Sequence, residues 1–185
     1  MQLLREASII YRSAVHGQYD IAGPDEIAQA DSVIAHSFGT STDPNSVNGH
    51  LGLLAAFWAN ATQTPLIADH VLVEALPDHA PEPVATTEGE ISRTLGGGLG
   101  TWGTFLVAQG YMAEHHLARP IIVAQAHHVG RTAMQAVKLG MRPILPTQLP
   151  KQFDPESLQP HTRSRQAWIP RELAGALFLK AQGRL

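Results

Sequence analysis

The run Pro120-Ile-Ile-Val-Ala124 constrains the fold of this chain more than any other segment. It carries no charge, and its three consecutive β-branched residues favour an extended backbone that needs cover on both faces. A strand of that kind belongs in the middle of a parallel sheet. Shorter apolar runs recur at Ser32-Val-Ile-Ala35, Pro65-Leu-Ile-Ala68 and Arg142-Pro-Ile-Leu145, with a further strand candidate near Val84. Between them, apolar residues repeat at helical spacing over 1–15, 24–30, 47–60, 103–116, 129–139 and 170–182. Alternation of this kind is the mark of βαβ units. The expected fold is therefore α/β: a three-layer, doubly wound, Rossmann-like sheet, mostly parallel, of about five strands. One domain spans 1–185, with a helical extension over 1–23 and a C-terminal connection and helix over 146–185. The last helix is expected to bury Leu173, Leu177 and Leu179.

Composition narrows the partners. Thirteen Lys and Arg stand against 16 Asp and Glu, a formal charge of −3, too few cations for a basic stripe along nucleic acid. No apolar run approaches the length of a membrane helix. Arg5, Glu6, Arg12 and His16 interrupt the first residues, which do not read as a signal peptide. Cysteine is absent, which excludes a disulfide framework and thiol chemistry. The expectation is a cytoplasmic protein whose partner is a small molecule, with neither nucleic acid nor membrane involved.

In a doubly wound sheet, ligands bind outside the carboxyl ends of the strands, where strand order reverses. The loops to inspect are thus 36–46, 69–70, 87–94 and 126–131. After the first strand, Ala35-His-Ser-Phe-Gly39 has the outline of a nucleophile elbow with Ser37 as nucleophile, and the chain order Ser37, Asp69, His127 is permitted for a triad. An elbow needs an immediate helix, yet Thr40-Ser-Thr-Asp-Pro-Asn45 intervenes. Ser37 therefore reads more naturally as a binding residue, with a serine hydrolase as the alternative. Gly98, Gly100 and Gly103 match a dinucleotide fingerprint, but the preceding Glu90-Ile-Ser-Arg-Thr-Leu95 is too polar for a central strand. That segment reads as a helix-entry loop.

His128 and Arg131 follow the strongest strand and open the next helix. Three residues apart, they share a face, and a guanidinium near a helix start suits phosphate or carboxylate. Against this, Arg131 could simply pair with an internal carboxylate such as Glu90. The ten histidines lack metal-ligand spacing, so no metal is expected; His16, His50, His79 and His161 are expected at the surface.

These features resemble the YdcF/SanA/ElyC family of α/β domains over residues 24–185. In that family a strand such as Ile121-Ile-Val123 leads into Ser/Thr-x-x-His-x-x-Arg-Ala, and here Gln125-Ala-His-His128-Val-Gly-Arg131-Thr stands in that place. His36-Ser-Phe-Gly39 corresponds to the family's glycine-rich turn. Glu88-Gly-Glu90-Ile-Ser92-Arg-Thr94 corresponds loosely to its Glu-x-x-Ser-x-Asn-Thr segment, and Trp168-Ile-Pro with the final helix to its ending. Taken with the loops, the resemblance implies one polar pocket lined by Ser37, Gly39, Asn45, Ser92, Thr94, His127 and Arg131. His128 is expected there as acid/base with Glu90 as its partner, acting on an anionic or nucleotide-like ligand. The competing reading is a module that binds without catalysis.

Overall fold

The computed structural model describes residues 2–87 and 100–185. Four strands form one all-parallel sheet in the order β3-β2-β1-β4: β1 (Ser32–Ala35), β2 (Leu66–Asp69), β3 (Ala85–Thr87) and β4 (Pro120–Val123). Between and around them run α1 (Gln2–His16), α2 (Pro24–Ile27), α3 (Val47–Thr62), α4 (His70–Glu74), α5 (Gly100–Glu114), α6 (Val129–Lys138) and α7 (Arg165–Ala181). A 3-10 turn, Pro160–Thr162, precedes α7. α3 lies against β1, β2 and β4 and packs with α4, while α5 covers β2 and β3 and packs with α6 beside β4. Helices thus flank the sheet in a three-layer, Rossmann-like arrangement.

Among the described residues the sheet has four strands rather than about five. Arg142 to Leu145 was expected to be a strand, and it begins a ladder beside β4. Ile144 donates to the Pro120 carbonyl (2.8 Å) and accepts from the Ile122 amide (2.9 Å). The next donor on that edge would be residue 146, a proline with no N–H, so pairing stops after one bridge. The middle of the sheet is as apolar as expected. Val33, Ile34, Leu66, Ile67, Ile121 and Ile122 are fully buried, and Phe105 of α5 and Leu51 of α3 pack onto them from the helices.

Strand order sets the place of the site. The chain moves from β1 outward through β2 to β3, then returns to the other side of β1 as β4. The reversal falls between the carboxyl ends of β1 and β4. The residues delivered there are His36 to Gly39 and Gln125 to His128.

α1 is not a loose extension. It packs on α6 and α7, and its Ser13 hydroxyl donates to the Ala126 carbonyl (2.8 Å) while accepting from the Gly130 amide (2.9 Å). One side chain of α1 therefore fixes both ends of the loop after β4.

α7 starts at Arg165, before Pro170, because Ser164 caps it by accepting from the Ala167 amide (3.2 Å). Its buried side is Trp168, Glu172, Ala176 and Leu179. Leu177, expected inside, is 73% exposed. Trp168 sets that phase: its ring lies edge-on to Phe38, and its indole N–H donates to the His127 carbonyl (3.0 Å).

Candidate functional site

A cavity of about 270 Å³ opens at the carboxyl ends of the strands. The loop after β1 supplies Ser37, Phe38 and Gly39 to it, and the end of β2 supplies Asp69. The start of α5 supplies Thr101, the loop after β4 supplies His128, and the first turn of α6 supplies Arg131. His161 and Trp168, stacked with ring centroids 5.8 Å apart, close one side.

Gly39 has φ +85°, and a Cβ there would come within 2.8 Å of the Ser157 hydroxyl. Only glycine takes that backbone without strain and leaves the 157–162 segment in place.

Ser37 is held by a carboxylate. Its backbone N–H and its hydroxyl both donate to Asp69 Oδ2, at 2.7 and 2.9 Å. The other carboxylate oxygen accepts from the Leu72 amide (3.0 Å) and caps α4. No histidine receives the Ser37 hydroxyl among the described residues.

His128 makes the arrangement that the chemistry turns on. Its Nδ1 lies 3.0 Å from Glu172 Oε1, and its Nε2 lies 3.0 Å from the Thr101 hydroxyl. His128 is 4% exposed and Glu172 only 1%. Arg131 Nε sits 3.0 Å from the same Glu172 oxygen, an ion pair whose N–H is not aligned as a hydrogen bond. Burial draws the His128 pKa below its ordinary value; Glu172 opposes that shift and Arg131 adds to it. Burial alone would raise the Glu172 carboxyl, but Arg131 and then His128 outweigh it and leave its pKa below the ordinary value. The consistent protonation is an ionised Glu172, a charged Arg131 and a neutral His128. Nδ1–H then donates to Glu172, and the bare Nε2 accepts from the Thr101 hydroxyl. Arg131 Nη2, 3.3 Å from Nδ1, is a contact within this arrangement and not a second donor to it.

A second chamber of about 500 Å³ adjoins the first and shares Gly100, Thr101, Arg131, His161 and Trp168 with it. Arg171, Arg184, Trp102 and Gln135 add to its walls. Arg184 lies 5.7 Å from the Trp102 ring centre, and Arg171 pairs with no carboxylate among the described residues.

Of the residues singled out in the sequence, Ser37, Gly39, His128 and Arg131 meet in the first cavity. His127 turns the other way. Its Nδ1 lies 3.0 Å from the Ala14 carbonyl, and its ring packs on Phe153. Asn45 is exposed in a turn in which its amide donates to Asp43 (2.7 Å), and it does not line the cavity. Glu90, Ser92, Thr94 and Gly98 lie outside the described residues. Arg131 does pair with an internal carboxylate, and that carboxylate is Glu172. His161, expected at the surface, is half-buried in the wall.

Sequence reasoning missed Glu172 and Thr101. Glu172 had a signal: spaced four residues from Trp168 and four from Ala176, it is an acid on the buried stripe of a helix. Thr101 had none.

Among the described residues, no group of three or more His, Asp or Glu is placed to hold a metal ion, and no helix is long and apolar enough to cross a membrane. The chain matches no family model, no curated protein and no solved structure.

Proposed function

We propose that this chain binds a small anionic molecule across the two chambers and acts on it with His128 as acid/base. The observation that carries the reading is the His128 ring itself. Its Nδ1 is anchored to a buried carboxylate, and its Nε2 faces the cavity with a hydroxyl 3.0 Å away. A base oriented by a third group, with its free nitrogen at a hydroxyl, has the geometry of proton transfer.

Charge divides the labour. The first cavity holds Arg131 against the carboxylates of Asp69 and Glu172, one on its wall and one behind His128. The second is bordered by Arg131, Arg171 and Arg184 against Glu172 alone. An anionic handle is favoured in the second chamber, with the reacting part of the molecule beside His128. A nucleotide-like ligand, with its phosphate as the handle, is one candidate. The resemblance to the YdcF/SanA/ElyC family, on Gln125 to Thr132, agrees with a site at His128 and Arg131.

Ser37 supports the serine-hydrolase alternative less well, because its hydroxyl is given to the Asp69 carboxylate, which also accepts from two backbone amides, and not to a histidine.

The test is a melting-shift screen over nucleotides, sugar phosphates and simple dicarboxylates. A ligand at 100 times its Kd stabilises the folded state by about 2.7 kcal/mol. The shift is expected to weaken with salt and to be lost in Arg171→Gln with Arg184→Gln. Failure of every anion at millimolar concentration would overturn the reading, as would a shift indifferent to both arginines.

A further inference from the structure

The geometry points to Thr101 as a nucleophile, activated by His128 and Glu172, that takes an acyl group from an ester of an anionic small molecule. This rests on the acid/base reading of His128 and names the group on which it acts.

Three residues from three places in the chain stand in line. The Thr101 hydroxyl meets His128 Nε2 at 3.0 Å, and His128 Nδ1 meets Glu172 Oε1 at 3.0 Å. This is the hydroxyl–imidazole–carboxylate relation that makes an alcohol nucleophilic at neutral pH, recognised by geometry and role rather than by sequence order. The carboxylate is in the right state, because Arg131 holds Glu172 ionised at a position that is 1% exposed. The hydroxyl is in the right place: Thr101 lines both chambers and is only half-buried.

The step balances without a further cofactor. The Thr101 oxygen bonds to the ester carbonyl carbon as its proton passes to His128 Nε2. The ester C–O bond then breaks, and the leaving alcohol departs with that proton. Water, again through His128, hydrolyses the threonine ester and restores the hydroxyl. Arg131, on the wall of the same cavity, faces the single negative charge of the tetrahedral intermediate. That charge count favours an acyl over a phosphoryl group. One guanidinium, already shared with Glu172 and opposed by Asp69, compensates one developing charge better than a phosphoryl dianion.

The experiment treats the full chain with a fluorophosphonate probe, in which Thr101 Oγ would displace fluoride from phosphorus, and maps the labelled peptide by mass spectrometry. p-Nitrophenyl acetate and p-nitrophenyl phosphate are assayed in parallel. The expected result is one label per chain on Thr101 and acetate turnover, with both reduced on the order of 100-fold or more in Thr101→Val. Valine keeps the shape of threonine, and a melting scan confirms that the variant is folded. Thr101→Ser is expected to label at least as fast as the parent chain, since it keeps the hydroxyl and drops the shielding methyl.

Labelling at Ser37, or labelling untouched by Thr101→Val, would overturn the proposal in favour of another nucleophile. Turnover of the phosphate ester in place of the acetate would overturn the acyl class. No labelling and no acetate turnover in a protein that still shows the anion-dependent melting shift would remove the nucleophile and leave the binding reading standing. Absence of that shift as well would remove both.

Discussion

His128 and Glu172 stand 44 residues apart in the chain, yet their side chains meet at 3.0 Å with both almost wholly buried. The contact joins the loop after β4 to the last helix, so the C-terminal segment completes the site instead of merely covering it. Arg131 makes the pair a triad: its guanidinium supplies the charge that lets the carboxylate remain ionised indoors.

Removing that carboxylate is expected to cost stability, not only function. Glu172→Gln keeps the size of the side chain but leaves the Arg131 guanidinium, 15% exposed, without its counter-charge. Breaking one side of a buried ion pair costs about 3 to 5 kcal/mol. A urea titration should show a midpoint lowered accordingly with an unchanged slope. A loss below about 1 kcal/mol would mean that the Arg131–Glu172 pair is not a structural element of the fold.

The strands were legible in the sequence because each central one is an uninterrupted apolar run with no competing pattern. The fifth failed at one residue, Pro146, whose missing N–H matters only once the partner strand is known. Ser37, Gly39, His128 and Arg131 were legible as site residues because the carboxyl ends of parallel strands converge on one crevice. Which of two adjacent histidines enters that crevice was not legible. His127 and His128 differ in direction only because α1 offers the Ala14 carbonyl to one and α7 offers Glu172 to the other. Thr101 was beyond reach, since a threonine at a helix start is ordinary until an imidazole is found beside it.

Stability is expected to fall on mild acidification. His36 is buried, and neither ring nitrogen has a partner among the described residues; burial, then His128 and Arg131, hold its pKa well below 6.5. His128, faced by Glu172, Arg131, Asp69, His36 and His161, is lowered too. The unfolded chain therefore takes up protons near pH 6.5 that these folded histidines refuse. The stability tied to them is complete above about pH 7 and declines as pH drops through 6.5. Glu172 acts in the same direction further down, because its lowered pKa stabilises the fold above its ordinary value of 4.5 and loses that effect as pH falls through the folded value. Melting temperatures across pH 5 to 8 should thus be flat at the alkaline end and slope downward below it. His36→Leu, which removes the most strongly shifted group, should flatten that slope. An unchanged slope in the variant would show that His36 does not govern the acid limb.

The docking of α1 onto the loop after β4 makes a last prediction. A Cβ on Gly130 would lie 2.6 Å from Ser13 Cβ and 3.0 Å from the Ile9 carbonyl, so Gly130→Ala must push α1 away from α6. Forcing one methyl into a packed contact costs about 1 to 3 kcal/mol. Here it also stretches the bond from the Gly130 amide to the Ser13 hydroxyl, and with it the hold of Ser13 on Ala126. The loop between those residues carries His127 and His128, so the effect should reach the site. Gly130→Ala is expected to lower the urea midpoint and to speed hydrogen exchange at the amide of residue 130, whose bond to its acceptor is stretched. Ser13→Ala removes the same two hydrogen bonds without adding bulk and should reproduce the exchange effect with a smaller loss of stability. If Gly130→Ala leaves exchange at that amide unchanged, α1 does not anchor the loop through this contact.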